Sequence, residues 1–355
     1  MLSSNHPGAP RFLLCLLACC QACRIGVGAE IPGTDRADRA RRMLAETGVQ
    51  GGLVVHLGCG DGRLTAELPA NGRFRVHGLD SDEDNVMAAR DHVCRRKLSD
   101  RVWVDRFAGV RLPYAENMVN LLVAEQLGDV AADEVMRVLV PLGVAYVKTA
   151  GGWKRTVKPW PDEIDEWTHW LHASDGNAVA GDTVAGPPRR LQWIAKPSWS
   201  RHHNTVPSVS AIVSSGGRLF CIVDEAPSSM HGSAPDQWAL VARDAFNGLL
   251  LWKRPISDWG WKAWSAEWTC RFTVPTHVPR RLVAVGDRVY VTLGFNAPLS
   301  ELDAASGEVV RELEGTEFTD EILCRQDRLI LALNKAPQEP GESSGPCRIR
   351  TASAT

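Results

Sequence analysis

A glycine-rich turn and an acidic residue each follow a short apolar run in the first half of the chain. The run LVVHL at 53–57 leads directly into GCGDG at 58–62, and a second run at 73–79 ends at Asp80. Glycines in such a turn let the backbone approach a ligand closely, and an acidic residue after the next strand can accept hydrogen bonds from ribose hydroxyls. The residue types and their spacing therefore predict a site for a nucleoside-containing cofactor.

The elements that must position this site alternate along residues 36–150. A short apolar run bounded by glycine is typical of a buried parallel strand, and strands that alternate with helices build a parallel sheet. We predict helices over 36–46, 63–68, 82–96 and 131–139, and strands over 53–57, 73–79, 101–105, 118–124 and 143–148. This segment is expected to form an α/β Rossmann-like doubly wound domain.

Four segments carry a resemblance to a known family. VVHLGCGDGRLTAEL, HGLDSDEDN, RLPYAENMVNLLV and EVMRVLVPLGVAYV follow one another within residues 36–150, and together they resemble the motifs of class I S-adenosylmethionine-dependent methyltransferases. The resemblance implies that S-adenosylmethionine places its methionine and ribose on the turn, its ribose hydroxyls on Asp80 and its adenine between Leu79 and Ser81. The cofactor-binding residues it implies are His56, Gly58, Cys59, Gly60, Asp61, Gly62, Asp80 and Ser81.

Two positions depart from the family pattern. His56 stands where the family usually carries an acid, and a neutral imidazole cannot offer a carboxylate to the ammonium group of the cofactor. Ala108 stands near the place of an acid that often binds adenine, with Asp105 the nearest acid. Glu125, after the fourth strand, is the catalytic candidate because it would face a substrate. The sequence does not identify the methyl acceptor.

Repeats occupy the second half of the chain. GRLF at 217–220, DRVY at 287–290 and DRLI at 327–330 are copies of one phrase, and each opens an alternating apolar run. A second phrase, LVARDAFNG at 240–248, corresponds to LSELDAASG at 299–307. In each, Asp starts a turn and Gly supplies a positive φ, which predicts a hairpin. Repeats of this length with short strands are typical of β-propeller blades.

The repeats resemble those of quinoprotein alcohol dehydrogenases and of the related outer-membrane assembly propeller. The resemblance covers about residues 190–335 and includes the pattern that runs through Trp252. Only three blade-like units are visible, so we predict an all-β, incomplete β-propeller that serves as a scaffold or binds a protein or polymer partner. Pyrroloquinoline quinone is not expected, because the only adjacent cysteines are Cys19 and Cys20 and no Ca²⁺-binding cluster stands out.

An aromatic linker over 151–189 separates the two predicted domains, and a polar tail over 336–355 is predicted to be disordered. Within the linker, His169, His172 and Asp175 have a spacing compatible with a metal. The polar edges of a tryptophan-rich packing layer explain these side chains more simply. We therefore predict no metal site.

Composition and the N-terminal sequence bear on the binding partners and the cellular location of the protein. The 40 basic and 42 acidic residues give a net charge of −2, so no overall basic field favours nucleic acid. No apolar run reaches the roughly 20 residues of a membrane-spanning helix. Residues 1–29 have a bacterial signal-peptide pattern, with Arg11 before a short apolar core and a small-residue stretch at 27–29. A functional signal would export the protein to the periplasm or cell envelope, whereas a start at Met43 would leave it cytoplasmic.

Two functions remain open from the sequence. The first is S-adenosylmethionine-dependent methyl transfer to an unidentified acceptor, with the propeller as a binding or scaffold module. The second is a non-enzymatic, exported propeller protein whose Rossmann-like domain is a relic. A third hypothesis, that the protein is a quinoprotein dehydrogenase, has the least support. An export signal would favour the second function, because S-adenosylmethionine is made in the cytosol.

Overall fold

A computed structural model describes most of the chain as a parallel α/β sheet followed by antiparallel sheets. The described residues are 34–184, 186–187, 191–196, 208–226, 236–264, 274–334 and 348–353. The predicted signal peptide at 1–29 lies outside them. Among the described residues, no helix has the length and apolar character needed to cross a membrane.

The first module is a six-stranded sheet with the order β3-β2-β1-β4-β5-β6. Strands β1 to β5 run parallel to their neighbours, and β6 pairs antiparallel with β5. The strands are β1 (Gly52–Leu57), β2 (Phe74–Asp80), β3 (Val102–Arg106), β4 (Val119–Ala124), β5 (Leu139–Thr149) and β6 (Gly152–Val157), and the helices are α1 (Thr34–Thr47), α2 (Glu83–Arg95) and α3 (Ala132–Val138).

The central strands are apolar on both sides because helices cover both faces of the sheet. Alternate residues of β1 point in opposite directions, so Val54 packs with α1 and α2 while Val55 packs with α3. The N-cap of α2 forms as its sequence predicts, since the Asp82 carboxylate accepts from the backbone N–H groups of Asp84 and Asn85. The two buried layers hold the carboxyl ends of β1, β2 and β4 in register.

The structure differs from the sequence predictions at two places in this module. The helix predicted over 63–68 is a single 3₁₀ turn, Thr65–Glu67. The sheet continues through β6 to Val157, beyond the boundary predicted at residue 150, because the chain turns at Gly151–Gly152 and pairs back along β5. The start of the predicted linker therefore supplies the last strand of the sheet.

The second module consists of antiparallel sheets in which each strand pairs with the next along the chain. Two have four strands, in the orders β10-β9-β8-β7 and β11-β12-β13-β14, and one has three, in the order β15-β16-β17. The strands are β7 (Val209–Ser215), β8 (Arg218–Asp224), β9 (Trp238–Asp244), β10 (Leu250–Pro255), β11 (Leu282–Val285), β12 (Arg288–Thr292), β13 (Leu299–Asp303), β14 (Val309–Leu313), β15 (Thr319–Arg325), β16 (Arg328–Leu333) and β17 (Arg348–Ser353).

The repeated phrases lie at equivalent places in these sheets. The three copies of the first phrase open β8, β12 and β16, which are the second strands of their sheets, and the two copies of the second phrase form the β9–β10 and β13–β14 turns. The first strand of the middle sheet, β11, lies next to β7 and β15. A short helix, α4 (Trp261–Trp264), connects the first two sheets within an aromatic core that includes Trp238, Trp259 and Phe295.

The structure differs from the prediction in the tail, and it shows the contacts of the two linker histidines. Within the tail predicted to be disordered, β17 pairs antiparallel with β16, since the open edge of β16 offers unpaired backbone groups to an added strand. In the linker, His169 is buried and its Nε2 accepts from the Cys324 backbone N–H at 3.1 Å, while His172 Nε2 lies 2.8 Å from Asp165. The described residues contain no cluster of three or more metal-ligating side chains.

A part-buried side-chain amide joins the two modules. Asn120 on β4 donates through Nδ2 to Asp244 Oδ2 at 2.6 Å, and its Oδ1 accepts from Asn247 Nδ2 at 2.8 Å. The same Oδ1 accepts from the Leu53 backbone N–H at 2.8 Å. A cavity of about 290 Å³ lies beside this contact. Because β1 and β4 begin here, the contact is at the opposite end of the parallel sheet from the glycine-rich turn.

Candidate functional site

Three chemically active positions meet at the carboxyl edge of the parallel sheet. Leu57 pairs with Leu79 on one side and with Ala124 on the other. The glycine-rich turn that begins at Gly58 therefore leaves the sheet between Asp80, which ends β2, and Glu125, which follows β4. In parallel sheets, ligands bind outside the carboxyl ends of the strands, so the predicted cofactor residues lie where a ligand can reach them.

The glycines of the turn have two different physical roles. Gly60 has φ +54° and a Cβ added there would meet nothing within 4 Å, so its backbone faces open space. Gly62 has φ +71°, and an added Cβ would lie 2.6 Å from the Ala89 Cβ on α2. Gly60 is thus positioned for close approach of a ligand, whereas Gly62 lets the turn pack against α2.

Asp80 is buried and held by three donors from its own module. Its Oδ2 accepts from the Gly60 backbone N–H at 2.7 Å, and its Oδ1 accepts from the Asp82 N–H at 3.0 Å and from Asn85 Nδ2 at 3.2 Å. A carboxylate has about four acceptor positions, so it retains capacity for a hydroxyl of a ligand. The sequence did not single out Asn85, whose role depends on the first turn of α2 coming back to the strand end.

His56 is a buried neutral residue beneath the turn. Its Nδ1 lies 2.8 Å from the Thr65 hydroxyl. Burial, followed by the positive charge of Arg39, lowers the pKa of His56 to about 4, so the imidazole is uncharged at neutral pH. The residue therefore contributes a hydrogen bond at this position but no charge, as its residue type indicated.

The titration of His56 predicts an acid-dependent loss of stability. Its folded-state pKa of about 4 lies below the ordinary value of 6.5, so the unfolded chain binds more protons between these two pH values. The stabilisation is complete above pH 6.5 and is lost as pH falls through 4, and it amounts to about 3 kcal/mol. Between pH 7 and pH 4, the free energy of unfolding in urea should fall less, by this amount, in His56→Gln than in the parent protein. The glutamine keeps a hydrogen-bond partner for Thr65. Identical pH slopes in the two proteins would contradict this assignment.

Glu125, the catalytic candidate, is held by two cations. Its Oε1 lies 2.5 Å from Arg39 Nη2 and its Oε2 lies 3.4 Å from Lys148 Nζ. The hydrogen bond from Arg39 lowers the pKa of the Glu125 carboxyl, so the group is ionised and weakly basic. Arg39 in turn lies over the Trp153 ring, 5.7 Å from its centroid. Arg39 and Lys148 were not predicted as site residues because neither belongs to a recognisable motif.

The remaining predicted residues lie along the same edge of the sheet and differ in their exposure to solvent. Cys59 is buried, and burial raises the pKa of its thiol to about 12, so it is not a thiolate nucleophile. Asp61 is exposed on the turn and pairs with Arg63 at 3.1 Å. Ser81 is exposed beyond Asp80, and its carbonyl accepts from Arg106 Nε at 3.3 Å. Ala108 is exposed on the loop after β3.

Part of the chain matches a known protein family. Residues 54–143, which contain the turn, Asp80 and Glu125, match a protein family described as "Methyltransferase domain". No curated protein matches the chain. The described part of the chain thus combines a methyltransferase-like α/β region with antiparallel all-β sheets.

Several solved structures are similar to the α/β region. A Methanococcus maripaludis protein described as a candidate S-adenosyl-L-methionine-dependent methyltransferase is 21% identical, with a TM-score of 0.29 over 32% of this chain and 54% of that one. The [4+2]-cyclase SpnF is 24% identical (TM-score 0.29, 31% and 43%). Geranyl diphosphate methyltransferase in complex with S-adenosylmethionine is 16% identical (TM-score 0.29, 31% and 48%). The chain spans about half the length of these structures.

Proposed function

We propose that the protein transfers a methyl group from S-adenosylmethionine to an acceptor that is still to be identified. The observation that carries this proposal is the pairing of the glycine-rich turn with Asp80, through the Gly60 N–H, at the carboxyl edge of the sheet. This pairing lies within the segment that matches the methyltransferase family.

The residues present fit the nucleoside part of this cofactor. Among the described residues, apart from the chain neighbours of each glycine, no atom lies within 4 Å of a Cβ added at Gly58 or Gly60, so the turn presents an open backbone cradle. Asp80 retains acceptor capacity for a ribose hydroxyl, and Leu79 and Ser81 on either side of it would flank the adenine. His56 and Thr65 hold the turn from below, and Cys59 fills the space against Gly78.

The chemistry requires little of the protein beyond placement. When bound, S-adenosylmethionine supplies a methyl group on a positively charged sulfonium, which is already a good leaving group. The chain's own residues would bind the cofactor, hold its ribose in a fixed orientation and bring an acceptor atom into line. Orientation of two reactants can supply a large part of a rate enhancement. A general base is therefore not required, and Glu125 need not act as one.

A binding experiment on the full chain tests the proposal. Calorimetric titration with S-adenosylhomocysteine, the demethylated product, should show binding. Asp80→Asn should weaken it about 10- to 100-fold, because hydrogen bonds to a charged acceptor are replaced by weaker ones. Asp91→Asn, on the exposed side of α2, is the matched control and should bind as the parent does. Folded protein that shows no heat at millimolar ligand would rule out the enzyme.

We further propose that the antiparallel sheets are blades of a β-propeller that serves as a partner-binding scaffold. Two tryptophans support this by making the same contact one sheet apart. Trp252 Nε1 donates to the Ala304 carbonyl at 2.9 Å, and Trp193 Nε1 donates to the Ala245 carbonyl at 3.1 Å. Both indoles cover the glycine that ends the same turn, Gly307 or Gly248. A contact repeated at the equivalent turns of successive sheets is expected of blades packed around an axis.

The non-enzymatic alternative also has an observation in its favour. Where the family usually carries an acid beside the glycine-rich turn, this chain has a buried neutral imidazole at His56. In that case the α/β region would support the sheets without binding a cofactor. The S-adenosylhomocysteine titration separates the two functions, because only the enzyme requires that the turn bind a nucleoside.

A further inference from the structure

A half-exposed ion pair lies beside the open turn and has no assigned role. Arg39 on α1 and Glu125 after β4 are in contact at 2.5 Å, with 36% and 45% of their side-chain surfaces exposed. Since Leu57 and Ala124 are paired in register, Gly58 and Glu125 follow adjacent strands at the same edge of the sheet. A ligand seated on the turn therefore has one anionic and one cationic side chain within its reach.

We infer that this ion pair binds the amino acid end of the cofactor, with Arg39 taking the α-carboxylate and Glu125 the α-ammonium group. This assignment rests on the proposed function. It places one charge of each sign against a zwitterion, which is the chemical group that distinguishes S-adenosylmethionine from a simple nucleoside. Arg39 lies outside the segment that matches the methyltransferase family, so its role follows from the fold and not from a motif.

The geometry leaves both side chains able to take a ligand. A guanidinium has five N–H donors in a planar fork, and Arg39 directs one of them to Glu125 while its Cζ lies over the Trp153 ring. Trp153 stacks on Tyr146, with the ring centroids 4.8 Å apart and the planes at 8°. This aromatic support limits the motion of the guanidinium, and a pre-oriented fork favours two parallel hydrogen bonds to a carboxylate.

Because His56 is neutral, a negative charge for the ammonium group has to come from another residue. A carboxylate at this edge would stabilise an ammonium group, and His56 cannot provide one. Arg39, Glu125 and Asp80 all lie close enough to His56 to influence its pKa. With Asp80 directed to the turn and the ribose, Glu125 is the carboxylate left for the ammonium group. Lys148, 3.4 Å from Glu125 Oε2, then helps keep that carboxylate in place.

Two ligands that differ only in the amino acid end test the inference. S-adenosylhomocysteine carries the zwitterion, and 5′-methylthioadenosine has the same thionucleoside without it. In calorimetric titrations of the full chain, Arg39→Gln and Glu125→Gln should each weaken S-adenosylhomocysteine roughly 10- to 100-fold and change 5′-methylthioadenosine by less than about 2-fold. Arg42→Gln, an exposed change on the same helix, should alter neither affinity.

The outcomes separate this inference from the proposed function. If the parent protein binds both ligands but the two variants retain the parent's preference for S-adenosylhomocysteine, the ion pair does not read the zwitterion and the inference is overturned. An equal loss of both ligands would overturn it too, because that indicates a distorted turn. If the parent binds neither ligand, the proposed function fails and the inference fails with it. The ratio of the two affinities within one variant also corrects for any partly unfolded protein.

Discussion

Trp252→Ala is expected to destabilise the protein by about 3–5 kcal/mol, the usual range for truncating a large buried aromatic side chain. The Trp252 indole is buried between the first two antiparallel sheets, 5.9 Å from the Phe220 ring centroid, and it covers Gly307. Its loss leaves a cavity that the paired strands cannot close without giving up their register. It also leaves the Ala304 carbonyl without its indole donor, which adds the penalty of an unsatisfied buried acceptor.

Urea unfolding followed by far-ultraviolet circular dichroism measures this effect without relying on the fluorescence of the removed residue. Trp103→Ala is the control, because Trp103 is 46% exposed on the edge strand β3. It should change the free energy of unfolding by less than about 1 kcal/mol. Similar losses in both variants would show that the contact between the sheets contributes no special stability, and would remove the main support for packed blades.

The antiparallel hairpins of the second module were predictable because its repeats combine turn chemistry with strand alternation. Asp244 and Asp303 each start a turn by accepting from the backbone N–H groups that follow, and Gly248 and Gly307 end those turns at positive φ. These are local interactions, so the sequence carries them directly. The tryptophan contacts were not predictable in the same way, because they join residues more than 50 positions apart.

In the first module, too, local features were predictable from the sequence and long-range contacts were not. Strand β1 and the glycine-rich turn follow from a short apolar run and its glycines. The helix expected after the turn is a single 3₁₀ turn, because Thr65 directs its hydroxyl back to His56 and Gly62 packs closely on Ala89. Arg39 reaches the candidate site from a helix that precedes the motifs. Its role is a property of the packed helix, and no spacing in the sequence encodes it.

Asn120→Leu is expected to cost about 3–5 kcal/mol, because three polar partners lose one amide in a part-buried contact. The Leu53 N–H, the Asn247 amide and the Asp244 carboxylate all bond to the Asn120 side chain. A leucine side chain replaces none of these bonds. Asn177→Leu, an exposed change in the linker, is the matched control and should have little effect.

The same amide should determine whether the two modules unfold together. The parent protein is expected to unfold in urea as a single transition, whereas Asn120→Leu should separate the α/β sheet from the antiparallel sheets. Burial raises the pKa of Asp244, so its folded-state value lies above its unfolded one and the folded state gains stability as pH falls toward the unfolded value. Protonation also removes the charge of the Asp244 carboxylate, whose Oδ2 loses its amide donor in Asn120→Leu. The loss in free energy of unfolding caused by Asn120→Leu should therefore be smaller at low pH. A loss that stays constant from pH 7 to pH 4 would show that the amide does not stabilise the charge of Asp244.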